Sequence, residues 1–149
     1  MVTSCFLTLV FGMIDLSIAL FRKHIVSEAA RQGARIAIVH GYLAGSSSTM
    51  DAWGPGPSYY SALTTHSIYA NSTSYTVQAN VSSDELAGAI SPYLVGLDPG
   101  KVTIQIAWPD GNNDPGNRVS VTVTVPYSHL FIGPDSINLS ATSTMIIVH

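Results

Sequence analysis

Asp15 is the one charged residue in the opening run "MVTSCFLTLVFGMIDLSIALF", Met1 to Phe21. A carboxylate at mid-depth in lipid costs on the order of 3 kcal/mol, so such a group is usually paired, protonated or functional. Arg22 lies about two helical turns further on and can approach on the same face. A basic group on a neighbouring subunit is an equal candidate, and a neutral acid at a helix interface is the third reading. Arg31 and Arg35 share another face, with Glu28 within one turn of Arg31. Asp15, Arg22, Glu28, Arg31 and Arg35 are therefore the candidates for charge pairing, inside the membrane or between subunits. The plainer alternative for the second arginine pair is a solvated basic face.

Other residue types offer less chemistry. His24, His40, His66, His129 and His149 are scattered without HExxH spacing. No phosphate-binding loop, GxGxxG or GxSxG is present, and no pair of groups is placed to make a nucleophile and its base. An enzyme is not expected, and neither is a cofactor. Asp110, Asn112 and Asp114 in "PDGNNDPGN" alternate like the start of a calcium loop, but the turn glycine and the distal glutamate are missing. A hairpin loop built from turn-forming residues explains this stretch without metal. Asn71, Asn80 and Asn138 open N-x-Ser/Thr sequons, which chance explains in so Ser- and Thr-rich a chain. The single cysteine, Cys5, excludes an intrachain disulfide. It lacks the preceding apolar segment of a lipidation signal and reads as a buried apolar thiol.

The elements that must position these residues follow from composition and period. Charged residues make up 10% of the 149, against roughly 25% in soluble domains, so much of the surface is expected to be covered. Four of the six basic residues lie between Arg22 and Arg35, whereas seven of the nine acids lie beyond Ile36. This is a basic collar beside an apolar segment, followed by a mildly acidic domain. The net charge of −3 gives no reason to expect nucleic acid.

Met1 to Phe21 would span about 30 Å as a helix, the thickness of a bilayer core. A secretory signal peptide is its rival, since Ser17-Ile18-Ala19 offers a cleavage site, but no basic residue precedes the apolar run. No proline interrupts the chain before Ala52, and the helical period persists. One helix over 1–43 is therefore predicted, ended by Gly41 and the "GSSS" at 45–48. Ala29, Gly33 and Ala37 form a small-xxx-small ladder. With Gly12, Ala30 and Ala34 they are the candidates for close helix–helix packing against other copies.

Residues 44–149 read as one α+β domain. A Gly-, Ser- and Pro-rich linker over 41–58 precedes an ambiguous stretch with a short helix around Tyr59–Tyr69. A short strand is read in "YTVQANV". A helix opens at Ser82 and Glu85 as a capping box and is weakened by Pro92. Three strands follow, around Val102–Ile106, Val119–Val125 and Ile137–Ile147, with apolar and hydroxyl residues alternating. Such strands make an antiparallel sheet covered on one face, and the C-terminal half of the first helix is the expected cover.

Two stretches carry a family resemblance. "FGMIDLSIALFRKHIVSEAARQGAR", Phe11 to Arg35, resembles the N-terminal helix of the TadE-like pseudopilins of bacterial tight-adherence pilus systems, with an "FGIID"-like stretch and an "AAREGAR"-like ending in which Gln32 replaces glutamate. "VSVTVTVPY" and "INLSATSTMIIV" resemble, more weakly, that family's closing strands. The resemblance implies a pilin-like fold, a long N-terminal helix on a small antiparallel sheet. It also implies single-pass insertion in the cytoplasmic membrane and assembly with copies of itself and related pilins into an extracellular filament. Family members carry a basic leader and a glutamate before the apolar run. The sequence as given starts inside that run, which leaves Asp15 to take any acid-pairing role. A membrane-anchored periplasmic binding module is the alternative, and Gly33→Leu is expected to separate the two: only a filament subunit needs the small-residue face against other copies.

Overall fold

The computed structural model describes residues 2–41, 53–55, 73–81, 84–128 and 136–148. The expected short helix around Tyr59–Tyr69, the "GSSS" stretch, Ser82 and the Asn71 sequon lie outside them.

Helix α1 runs without interruption from Val2 to Ala37, about 54 Å at 1.5 Å per residue. It ends earlier than predicted. Val39 N–H and His40 N–H donate to the carbonyls of Ile36 and Ala37 at 3.2 and 3.3 Å, tightening the last turn. His40 then stacks on Trp53, ring centroids 4.2 Å apart.

Four strands form one sheet in the order β1 (Ser74–Gln78), β2 (Thr103–Ala107), β3 (Arg118–Ser128) and β4 (Ser136–Ile146). Every neighbouring pair is antiparallel. The alternation that defined the strands also sets their faces. Ile104, Ile106, Val119, Val121, Val123 and Val125 are buried, while Gln105, Thr142 and Thr144 on the opposite face are exposed. The C-terminal half of α1 covers the apolar face through Val26, Ala29, Ala30, Ala34 and Ala37, as expected of a half-covered sheet.

Helix α2 (Glu85–Ile90) closes one end of the core with Leu86, Ala87 and Ile90. It is shorter than predicted because Pro92 has no N–H to continue the ladder, and the chain tightens into a 3-10 turn over Ser91–Tyr93. Its cap is Asp84, whose Oδ1 accepts from Ala87 N–H at 3.0 Å, so the capping role read for Ser82 belongs to Asp84.

The stretch read as linker holds the largest fully buried side chain, Trp53. Its N–H donates to His40 O at 2.7 Å, and Asn113 Nδ2 donates to its carbonyl at 2.7 Å. Gly54, at φ +92°, lies so close to Trp108 that a Cβ would fall 2.3 Å from the indole. Only glycine fits there, by backbone conformation and by space.

Candidate functional site: the uncovered helix and its polar pin

The sheet covers α1 on one side only, and only from Asp15 onward. Asp15 is 2% exposed. The Tyr127 hydroxyl donates to the Asp15 carbonyl oxygen at 3.2 Å and approaches its Oδ1 at 3.5 Å. The Arg22 guanidinium lies over the Tyr127 ring, 5.1 Å from its centroid, a cation–π geometry. Arg22 and Asp15 thus both meet Tyr127 of β3, which stands between them. Burial raises the Tyr127 phenol above its ordinary 10.0 and the Asp15 carboxylate adds to this, while Arg22 opposes it. The hydroxyl therefore stays protonated and keeps donating. Tyr127 was missed in the sequence because it lies beyond Pro126, outside the Val119–Val125 strand read there; the structure extends that strand to Ser128. Lys23, one position on, donates to the Ser140 carbonyl of β4. The pin and this lysine hold the far end of the β3–β4 hairpin against mid-helix.

The small-residue ladder is placed differently from its reading. Ala29, Ala30, Gly33, Ala34 and Ala37 are buried inside the subunit, against its own sheet and α2. A Cβ on Gly33 would meet Ile90 Cδ1 at 2.7 Å and Val121 Cγ1 at 2.9 Å. The close approach that small residues permit is therefore helix on sheet within one chain, and this face is not open to other copies. Helical period reports that a face is buried, not what buries it. Gly33→Leu accordingly tests the subunit's own fold and does not separate a filament from a tether. Gly12 lies in the uncovered part of α1, with open space where a Cβ would stand.

Glu28 is engaged along its own helix, by Arg31 at 3.6 Å and by Gln32 Nε2 at 2.9 Å. Arg31 and Arg35 are exposed. In the β2–β3 loop, Asp110 accepts from Arg118 through its side chain at 2.6 and 3.1 Å and its backbone N–H at 2.8 Å. Asn112 bonds to Asp114 and to Asn117, so these side chains organise the hairpin loop. Among the described residues no group of three or more His, Cys, Asp or Glu side chains is placed to hold a metal.

What remains uncovered is apolar. Val2, Phe6, Leu9, Met13, Leu16 and Leu20 are each more than half exposed. Their spacing is 4-3-4-3-4, which on a helix draws one stripe, the a/d seam of a coiled coil. The stripe faces away from the domain and runs past Asp15 to Leu20, alongside the sheet. Lys23, His24 and Ser27 end it with polar groups. It was hidden in the sequence because the whole run is apolar; the domain's position on the opposite side is what singles it out. Cys5, read as buried, is exposed in the same uncovered segment. The helix is long and apolar enough to cross a membrane, and hardly any of its apolar window is buried inside the subunit.

No curated protein and no solved structure matches the chain. The family model described as TadE-like protein matches residues 1–35, which hold the uncovered stripe, Asp15 and Arg22 of the polar pin and most of the ladder. Over this helix the chain is similar to the TadE-like proteins, a match that supports a pseudopilin-type protein.

Proposed function

We propose that the chain is a structural subunit, major or minor, of a type IV pilus-like surface filament. Helix α1 holds it in the cytoplasmic membrane before assembly and packs against copies of itself or related pilins afterwards. The observation that carries this reading is the stripe from Val2 to Leu20. Among the described residues nothing covers an apolar surface of this length, and surfaces of that kind mark contacts with lipid or protein. Lipid covers it in the membrane; sister helices cover it in a filament. Contacts of this kind between copies are heterologous and do not close. Exposed Arg35, above the stripe, is available to acids on a neighbour, whereas Arg31 is already paired with Glu28. No cofactor, catalysis or nucleic acid enters this reading.

A membrane-anchored binding module would use α1 only as a tether. Alanine at Leu9, Met13 and Leu16 together separates the two. The segment stays apolar enough to insert, but the side chains that fill the seam are gone. A tethered module keeps its membrane location and its function, whereas a filament subunit stays in the membrane and yields no filaments. Negative-stain microscopy of sheared surface material, with mass spectrometry of the mature N-terminus, is the direct test. Material that never contains this chain rules the filament reading out.

A further inference from the structure

We infer that neighbouring copies join their sheets edge to edge, β4 of one subunit pairing antiparallel with β1 of the next. This rests on the filament reading, because it requires copies standing side by side in the same direction. Among the described residues, β4 pairs only with β3 and β1 only with β2. Both edges therefore present backbone donors and acceptors to a further strand, except at the Ser140 carbonyl of β4, where the Lys23 ammonium would have to give way.

Direction selects the partner. The four strands alternate strictly, so β1 and β3 run one way and β2 and β4 the other. A second copy in the same orientation brings its β1 beside β4, and these run in opposite directions. An even number of alternating strands continues its own pattern; an odd number would not. Continuing the sheet with β4 against β4 of a second copy, antiparallel, would reverse one copy and point its helix the wrong way, so parallel helices and joined sheets select the same neighbour.

The side chains agree. Edges are usually blunted by charge, proline, a bulge or shortness. β4, "SINLSATSTMI", has no charged residue and no proline of its own, although Lys23 of α1 reaches its backbone at Ser140, and its register with β3 is unbroken from Ser136 to Ile146. β1, "SYTVQ", is likewise uncharged, so no like charges meet across the junction. Each strand has an apolar side toward α1 and a hydroxyl or amide side outward. On β4, Ile137 and Leu139 face inward and Asn138, Thr142 and Thr144 outward; on β1, Val77 faces inward and Thr76 and Gln78 outward. Ile137 is 43% exposed whereas Val125 on β3 is 3% exposed, so the inner face of β4 has room for one more apolar neighbour.

The register gives the test. Thr76, Gln105, Thr122 and Thr142 lie in one row across the sheet. Within one subunit Thr76 and Thr142 are therefore three strand spacings apart, about 14 Å, beyond the roughly 7 Å reach of a disulfide. Any bridge between them joins two copies. In the full chain carrying Cys5→Ser, Thr76→Cys is combined in turn with Asn138→Cys, Ser140→Cys, Thr142→Cys or Thr144→Cys. All five sites are exposed. The scan along β4 allows for the axial step between subunits.

After mild oxidation of cells, sheared filaments are run without reductant. The expected result is a ladder of trimers and higher species at one or two adjacent β4 positions. It disappears when Thr76 is restored or when Gln105→Cys, one strand in from the edge, replaces Thr76→Cys. Dimers that form from a β4 cysteine alone and go no further overturn the inference in favour of a two-fold pairing. Filaments present with no bridge at any position overturn it while leaving the filament reading standing. Absence of filaments from the unmodified chain removes both.

Discussion

Tyr127 and Asp15 are joined by one hydroxyl that links mid-helix to the far end of β3. A buried hydrogen bond of this kind is worth about 1 kcal/mol, and more when its loss leaves the partner unsatisfied. Tyr127→Phe keeps the ring under Arg22 and removes only the hydroxyl. It is expected to cost about 1–3 kcal/mol, seen as a lower midpoint in thermal unfolding in detergent, with the near-ultraviolet signal of Trp53 and Trp108 as the readout. Gly33 makes a sharper demand, because the space its Cβ would take is occupied by Ile90 and by Val121. The end of Ile90 can rotate aside, but Val121 is β-branched and held in the sheet. Gly33→Ala is expected to destabilise by about 1–3 kcal/mol through overpacking in the same assay; an unchanged midpoint would show that α1 is not seated where it is described. Asp110 governs the acid limb. Arg118 holds its carboxyl down from 3.8 to about 2, chiefly through the side-chain hydrogen bonds. The unfolded chain therefore binds this proton first as pH falls, and the contribution of the pair, complete above about pH 4, is lost toward pH 2. The urea midpoints of the unmodified protein and of Asp110→Asn are expected to differ by a constant amount above that range and to converge below it.

At the scale of elements, α1 is one helix with two unlike halves. Its second half is amphipathic in the ordinary way: Val26, Ala29, Ala30 and Ala37 face the sheet, and Arg31 and Arg35 face out. Its first half carries the seam. Replacing Leu9, Met13 and Leu16 by alanine removes side chains that are each more than half exposed, so thermal stability is expected to hold. Self-association in detergent, followed by crosslinking against dilution, is expected to weaken about tenfold or more, a change of about 1.4 kcal/mol or more. Equal association would mean that the seam is a lipid-facing surface only. The same division explains what the sequence disclosed. Strands β3 and β4 were legible because valine or hydroxyl at every second position has one physical reading. The long helix was legible because nothing breaks it. Trp53 was not legible: glycine and proline around it announce irregular backbone, and irregular backbone can still carry a core side chain. Nor was the partner of the Ala29–Ala37 face, because spacing marks a buried face without naming its neighbour. Asp84 displaced Ser82 as the cap because either residue type can accept from a helix's first N–H groups, and only geometry decides between them.

At the scale of the molecule, the apolar run and the folded domain overlap along α1. Among the described residues the sheet first covers the helix at Asp15, so about 20 Å of it, from Val2 to Ile14, extends beyond the sheet, short of the roughly 30 Å of a bilayer core. The run reaches 30 Å only by continuing to Phe21, but from Asp15 onward one side of the helix is already covered by the β3–β4 hairpin. If α1 spans the bilayer with Arg22 and Lys23 at the headgroups, the end of the sheet marked by Tyr127, Ser128 and Ser136 is drawn about 10 Å below them. Tyrosine and arginine are the side chains that suit this depth, one amphipathic and one long enough to reach back to water. Asp15 tolerates it because the domain shields it from lipid. The other end of the sheet, where Val148 N–H donates to the Ile38 carbonyl, stands well clear. In nanodiscs carrying lipids with a quencher near the headgroup, a tryptophan placed at Ser128 or Ser136 is therefore expected to lose fluorescence, and one at Thr144 to keep it. Trp53 and Trp108, both buried in the core, add a background that the unmodified protein measures. Equal signals at both ends would mean that the helix inserts only as far as Asp15 and that the lipid thins to meet it. Quenching at the hairpin end would mean that leaving the membrane withdraws part of the sheet as well as the helix, so that extraction from lipid and exposure of β4 to a neighbour's β1 belong to the same step.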